Sequence, residues 1–119
     1  MAELKYKPKQ PKAVETEELF FRSIAEALAN ENSDVTWGKM MSSPGIRYKD
    51  KFFAFYYNKG VVFRFGREFK PETVGINNYT LLAPFKTKPP LVDWFCISAG
   101  DQGRWEELAR IALQRMVEK

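Results

Sequence analysis

The sequence predicts an α+β fold, a small antiparallel sheet of about five to six strands flanked by an N-terminal and a C-terminal helix. Three observations predict it. Apolar residues recur at helical spacing near both ends of the chain, the middle reads as short extended segments divided by turns, and no βαβ alternation occurs. At 119 residues, 45% of them hydrophobic and ten of them Phe, the chain has the length and apolar area of one domain with one core.

Residues 1–13 carry Lys-Pro-Lys-Gln-Pro-Lys at 7–12 and little apolar content, which predicts a flexible basic arm ahead of a single domain over 14–119. A helix follows Thr16 as N-cap, with Glu17 and Glu18 where the helix dipole favours anions. Phe20, Ile24, Ala27 and Leu28 share its apolar face, with Phe21 beside it, and the cluster at 30–33 ends it.

From Val35 to Phe65 the pattern is extended, with turns at Ser42-Ser43-Pro44-Gly45, at Lys49-Asp50 and at Asn58-Lys59-Gly60. A three-residue third loop with Gly60 left-handed would set Tyr57 opposite Val61, Phe55 opposite Phe63 and Phe53 opposite Phe65. The other face of that hairpin would then hold Phe52, Ala54, Tyr56, Val62 and Arg64 together. Residues 66–78 read as a connection with one helical turn from Pro71. Two more strands, Tyr79 to Phe85 and Leu91 to Ile97, precede a final helix capped by Asp101, on which Trp105, Leu108, Ala109, Ala112, Leu113 and Met116 share a face. Glu106 and Arg110 lie one turn apart on its outer side.

The net charge of +4 is unevenly spread. Residues 1–12 are basic, residues 13–38 set Arg22 against six carboxylates, and residues 39–88 set ten Lys or Arg against Asp50, Glu68 and Glu72. There is no histidine, which removes the commonest general base, the commonest zinc ligand and every imidazole-dependent triad. No phosphate-binding glycine loop, CxxC pair or EF-hand loop is present either. The adjacent acids Glu17-Glu18 and Glu106-Glu107 diverge by about 100° on their helices, and read as dipole partners and solvated surface. Cys96, between Phe95 and Ile97, reads as a small core residue and forms no internal disulfide. No catalytic residue, metal site or cofactor is expected. The absence of a signal sequence and of an apolar run of about 18 residues points to a cytoplasmic protein without a membrane partner.

What remains is binding. Basic and aromatic residues interleave in the middle of the chain, and the candidate nucleic-acid contacts are Arg47, Lys49, Lys51, Phe52, Tyr56, Arg64 and Arg67. Cations attract phosphate, and rings on a sheet surface stack on unpaired bases.

Met41-Ser42-Ser43-Pro44-Gly45-Ile46, Lys51-Phe52-Phe53-Ala54 and Val61-Val62-Phe63-Arg64-Phe65, followed by Pro84-Phe85 and Trp94, form a pattern that resembles the TfoX N-terminal and MmcQ/YjbR-like domains over roughly residues 16–118. The resemblance implies an α+β domain of bacterial, regulatory type with no catalytic residues, in a group often labelled DNA-binding. The leading expectation is therefore a non-enzymatic regulatory or interaction domain that contacts nucleic acid through its basic aromatic segment. Two alternatives stay open. One is a protein-interaction or self-associating domain, monomer or homodimer, without nucleic-acid binding; the other is a small-molecule anion binder in which Arg47 or Arg64 holds the anion between sheet and helix.

Overall fold

A computed structural model describes residues 16–40, 42–83 and 87–118. The basic arm at 1–13 and the Pro84-Phe85 pair lie outside the described residues. The order is α1 (Thr16–Glu31), β1 (Val35–Met40), β2 (Ser43–Tyr48), β3 (Lys51–Tyr57), β4 (Gly60–Arg64), β5 (Tyr79–Leu82), β6 (Leu91–Ile97) and α2 (Trp105–Val117). Short 3-10 turns at Pro71–Val74 and Ala99–Arg104 join the later elements. This is the expected α+β fold. The six strands form one antiparallel sheet in the order β1-β2-β3-β4-β6-β5, so the connection after β4 passes over the β6 position before β5 begins.

Both helices lie on one face of the sheet, α1 over β1 and β2, α2 over β2, β3 and β4. Phe21, Ile24, Ala25 and Leu28 of α1 are buried, so its inward face is turned slightly from the expected one, with Phe20 at its margin against Trp105, ring centroids 5.9 Å apart. From α2, Trp105, Leu108, Ala109, Ala112 and Met116 enter the same core as Ile46, Phe53, Ala54, Tyr56, Val61, Phe63, Phe65 and Ile97. Each large apolar side chain sealed there contributes about 1.5–3 kcal/mol. The Trp105 indole N–H donates to the Ser98 carbonyl at 3.3 Å, which satisfies the one polar atom this ring buries.

Thr16 is already helical rather than preceding the helix, a shift of one residue. Asp101 lies inside the 3-10 segment and caps nothing; Ser98 caps that segment, its hydroxyl accepting from the Gly100 N–H. The turn expected over Ser42–Gly45 is shorter than that. Ser43 to Gly45 belong to β2, Met40 pairs with Ser43, and the reversal falls on Ser42 at φ 66°.

The largest correction concerns the β3–β4 hairpin. Its loop has two residues, Asn58 and Lys59, both left-handed at φ 53° and 64°, and Tyr57 pairs with Gly60. Two successive left-handed residues make the turn whose twist matches that of paired strands. The register therefore sets Tyr56 opposite Val61, Phe55 opposite Val62 and Ala54 opposite Phe63. Gly60 is a strand residue because a Cβ there would lie 2.6 Å from the Ile97 carbonyl oxygen on β6. A bulge between β2 and β3, where Ile46 pairs with Ala54 but Arg47 pairs with Phe52, leaves Phe53 unpaired and turns both Phe53 and Ala54 into the helix-side core.

A candidate nucleic-acid interface on the far sheet face

Strand alternation puts a second set of side chains on the sheet face away from the helices. Phe55, Val62 and Leu82 form a small buried cluster there, surrounded by Met40, Tyr57, Trp94 and Cys96. Among the described residues, only strand residues join it. Phe55 is fully buried, with Tyr57 and Trp94 meeting it edge-on at 6.0 and 5.6 Å between centroids, so these two half-buried rings present the face to solvent.

Of the seven residues expected to make contact, the fold brings three onto this face. Phe52 lies across the paired glycines Gly38 and Gly45; a Cβ on either would stand 2.9 Å from its ring. Arg47 sits with its guanidinium carbon 5.6 Å from the Phe52 centroid and donates through a terminal nitrogen to the Trp37 carbonyl. Its Nε is buried and has no hydrogen-bond partner among the described residues. Arg64, paired with Trp94 across β4 and β6, lies 5.9 Å from that ring's centroid.

The other four separate. Lys49 and Lys51 flank the β2–β3 turn, where Lys49 is left-handed at φ 58° and its ammonium stands 5.5 Å from the Tyr48 ring. Arg67 follows β4, exposed, with its Nε 3.8 Å from Asp93. Tyr56 is 5% exposed and belongs to the helix-side core, because the true register pairs it with Val61. The expected surface of Phe52, Tyr56 and Arg64 is thus corrected to one of Phe52, Tyr57, Arg64 and Trp94, with Arg47 behind Phe52. Tyr57 and Trp94, which the fold brings to this face, were not among the expected candidates. A two-residue loop at Asn58-Lys59 is the sequence signal that would have found Tyr57.

Charge divides between the layers. The six strands contain Lys39, Arg47, Lys51 and Arg64 but a single carboxylate, Asp93. The two helices carry Glu17, Glu18, Glu26, Glu31, Glu106 and Glu107 against Arg22, Arg110 and Arg115. The strands are therefore net cationic, with Arg47 and Arg64 on the far face and Lys39 and Lys51 on the helix side, and the helix layer is net anionic through α1.

Cys96 is half-buried on the far face rather than in the helix-side core, and burial pushes its thiol pKa up, an effect partly offset by a hydrogen bond with Thr80. The centre of the space between sheet and helices is filled by the apolar core. At its margins Arg22 of α1 lines a cavity with Trp37, Lys39 and Tyr56, and Arg64 lines another with Lys49, Lys51 and Met116. Among the described residues no group of three or more potential metal ligands comes together, and no helix is long and apolar enough to cross a membrane. No family model, curated protein or solved structure matches the chain.

Proposed function

We propose that the chain is a non-enzymatic interaction domain of TfoX N-terminal/YjbR-like type that binds unpaired nucleic acid on the far face of its sheet. The observation that carries this reading is the pairing of arginine with aromatic ring twice on a surface over which none of the described helices lies, Arg47 with Phe52 and Arg64 with Trp94. Guanidinium groups meet phosphate, while the Tyr57 and Trp94 rings offer stacking surfaces to bases. Duplex bases are closed to stacking, and reading a duplex would need an element that enters a groove. α1 carries an excess of carboxylates, which repel phosphate, while α2 balances Glu106 and Glu107 with Arg110 and Arg115; this supports the far face, with Arg47 and Arg64, as the side that meets the ligand.

Titration with a single-stranded oligonucleotide, followed by tryptophan fluorescence at several salt concentrations, tests it. Affinity is expected to fall with rising salt, by about 0.7 log units per tenfold salt for each phosphate neutralised. Trp94→Ala and Arg64→Ala should each weaken binding by about five- to tenfold. No saturable binding at low salt would remove the reading.

The same charge division favours a second reading, in which the anionic helix layer of one copy meets the cationic sheet of another. That arrangement predicts a salt-sensitive, head-to-tail association by sedimentation in the absence of any nucleic acid.

A further inference from the structure

We infer that the far face also holds a pocket for a single nucleobase, so that a strand bound there is read for base identity as well as held by its phosphates. This rests on the nucleic-acid reading above. A cavity of about 320 Å³ opens between the β3–β4 turn and the edge strand β5. Tyr57 and Leu82 are its apolar walls, Cys96 lies at its floor, and Asn58, Asn78 and Thr80 supply polar groups. The cavity exists because Gly60, opposite Tyr57, contributes no side chain, and the β4 backbone closes onto the Ile97 carbonyl of β6.

The chemistry of the lining selects the ligand. Among the described residues it includes no Lys, Arg, Asp or Glu, so neither a phosphate nor a cation finds a counter-charge among them. The Asn58 and Asn78 carboxamides and the Thr80 hydroxyl supply donors and acceptors of the kind that complement the edge of a base. Tyr57 is already held edge-on to Phe55, 6.0 Å between centroids, which fixes the ring that would lie beside a planar guest. A neutral, flat, hydrogen-bonding ring of nucleobase size meets all of these conditions. The arginines on the same face, outside the pocket, are left to the backbone. Affinity and selectivity therefore reside in different residues, and the two can be separated by experiment.

The test compares oligonucleotides of about 12 nucleotides made of dT, dC or dA with an abasic strand of equal length, against the wild type and Asn78→Ala, Thr80→Val and Arg64→Ala. Melting curves establish that each variant is folded. The wild type is expected to prefer one base by about five- to tenfold and to bind the abasic strand more weakly than that base. Asn78→Ala and Thr80→Val should flatten the preference while leaving the salt slope unchanged; Arg64→Ala should weaken every strand alike and keep the preference. Bound oligonucleotide of the preferred base should also protect Cys96 from alkylation by iodoacetamide, and the abasic strand should not. Equal affinity for all bases, or full base preference in both pocket variants, overturns the pocket while salt-dependent binding still supports the far face. No binding of any strand at low salt overturns both.

Discussion

A terminal guanidinium nitrogen of Arg47 donates to the main-chain carbonyl of Trp37, across the outer edge of the sheet. Met40 and Ser43 close the β1–β2 hairpin as a hydrogen-bonded pair, so the alternation along β1 turns the N–H and C=O of Trp37 outward, away from β2. Arg47 reaches that carbonyl by passing over Gly38, where a Cβ would lie 3.0 Å from its Nε. A second outward group, the Val35 N–H, donates to the Asn32 carbonyl at 3.0 Å. Exposed edges pair with other chains unless something blocks them, and β1 is partly blocked from its own chain.

Arg47→Ala is therefore expected to promote self-association through β1. The measurement is sedimentation velocity over a range of concentrations, where the variant should run heavier than the wild type at equal concentration. Trp37, 39% exposed beside that edge, adds apolar area to the contact. Adding Trp37→Pro, which removes the outward N–H, should reverse the effect. An Arg47→Ala protein that sediments as the wild type does would show that the side chain does not guard the edge.

The two helices are tied by Arg110, which grips Glu31 at the end of α1 through two hydrogen bonds of 2.6 and 3.0 Å and also bonds Glu106 at 2.9 Å. The Arg110 hydrogen bond holds the Glu31 pKa below the ordinary carboxylate value. A depressed folded-state pKa stabilises the fold above the unfolded-state value, and the contribution is lost as pH falls through the folded value. Glu31→Gln should thus lower the melting temperature slightly at neutral pH. The difference from wild type should vanish in acid and shrink in high salt, because the pair is exposed. A deficit that persists at pH 2–3 would mean that Glu31 acts through packing instead.

Gly60 shows where sequence reasoning stopped. The succession of strands, the helix-forming Trp105-to-Met116 face and the turn at Lys49-Asp50 are all written in short-range pattern, and all are present in the structure. The hairpin register is not short-range. A glycine at the end of Asn58-Lys59-Gly60 looks like the left-handed turn residue, yet its reason is the Ile97 carbonyl, 37 positions away in sequence and adjacent only after β6 has docked on β4. One residue of slip then exchanged Tyr56 for Tyr57 on the far face. Trp94 was invisible as a partner of Arg64 for the same reason, since the β4–β6 pairing skips β5.

The two registers predict different mutants. In the observed loop Lys59 bears the left-handed strain, so Lys59→Gly should raise stability by up to about 1 kcal/mol, offset by whatever its side chain contributes. Gly60→Ala should destabilise strongly, because the obstructing atom is backbone and cannot swing aside. Urea denaturation of both variants checks the pair. Stabilisation by Lys59→Gly together with loss in Gly60→Ala is expected; tolerance of Gly60→Ala would contradict the observed strand contact.

Phe63 stacks on Phe65 at 5.5 Å between centroids in the helix-side core, whereas Trp94 caps the far-face cluster half in solvent. Phe63→Ala should cost about 3–5 kcal/mol, the usual loss for a buried ring replaced by a cavity. Trp94→Ala should cost clearly less in stability and yet carry the larger loss of nucleic-acid binding among folded variants. Chemical denaturation and oligonucleotide titration on the same two proteins separate the roles. Equal stability losses would place Trp94 in the core rather than at the surface.

Cys96 supplies a reporter of the far face that needs no added label. Burial raises its pKa above the ordinary thiol value, so at pH 8 less of it is thiolate, the form that attacks iodoacetamide, than in a free cysteine. Alkylation should be slow near neutrality and should accelerate as pH rises past the ordinary thiol range, with the midpoint displaced upward. Thr80→Val removes the hydrogen bond that opposes this shift, so the midpoint should move further up and the rate at pH 8 should fall. Quench-flow alkylation with mass detection across pH measures both quantities. A Cys96 that reacts as fast as free cysteine at pH 8 would mean that the β5–β6 edge opens readily, and with it the floor of the proposed base pocket.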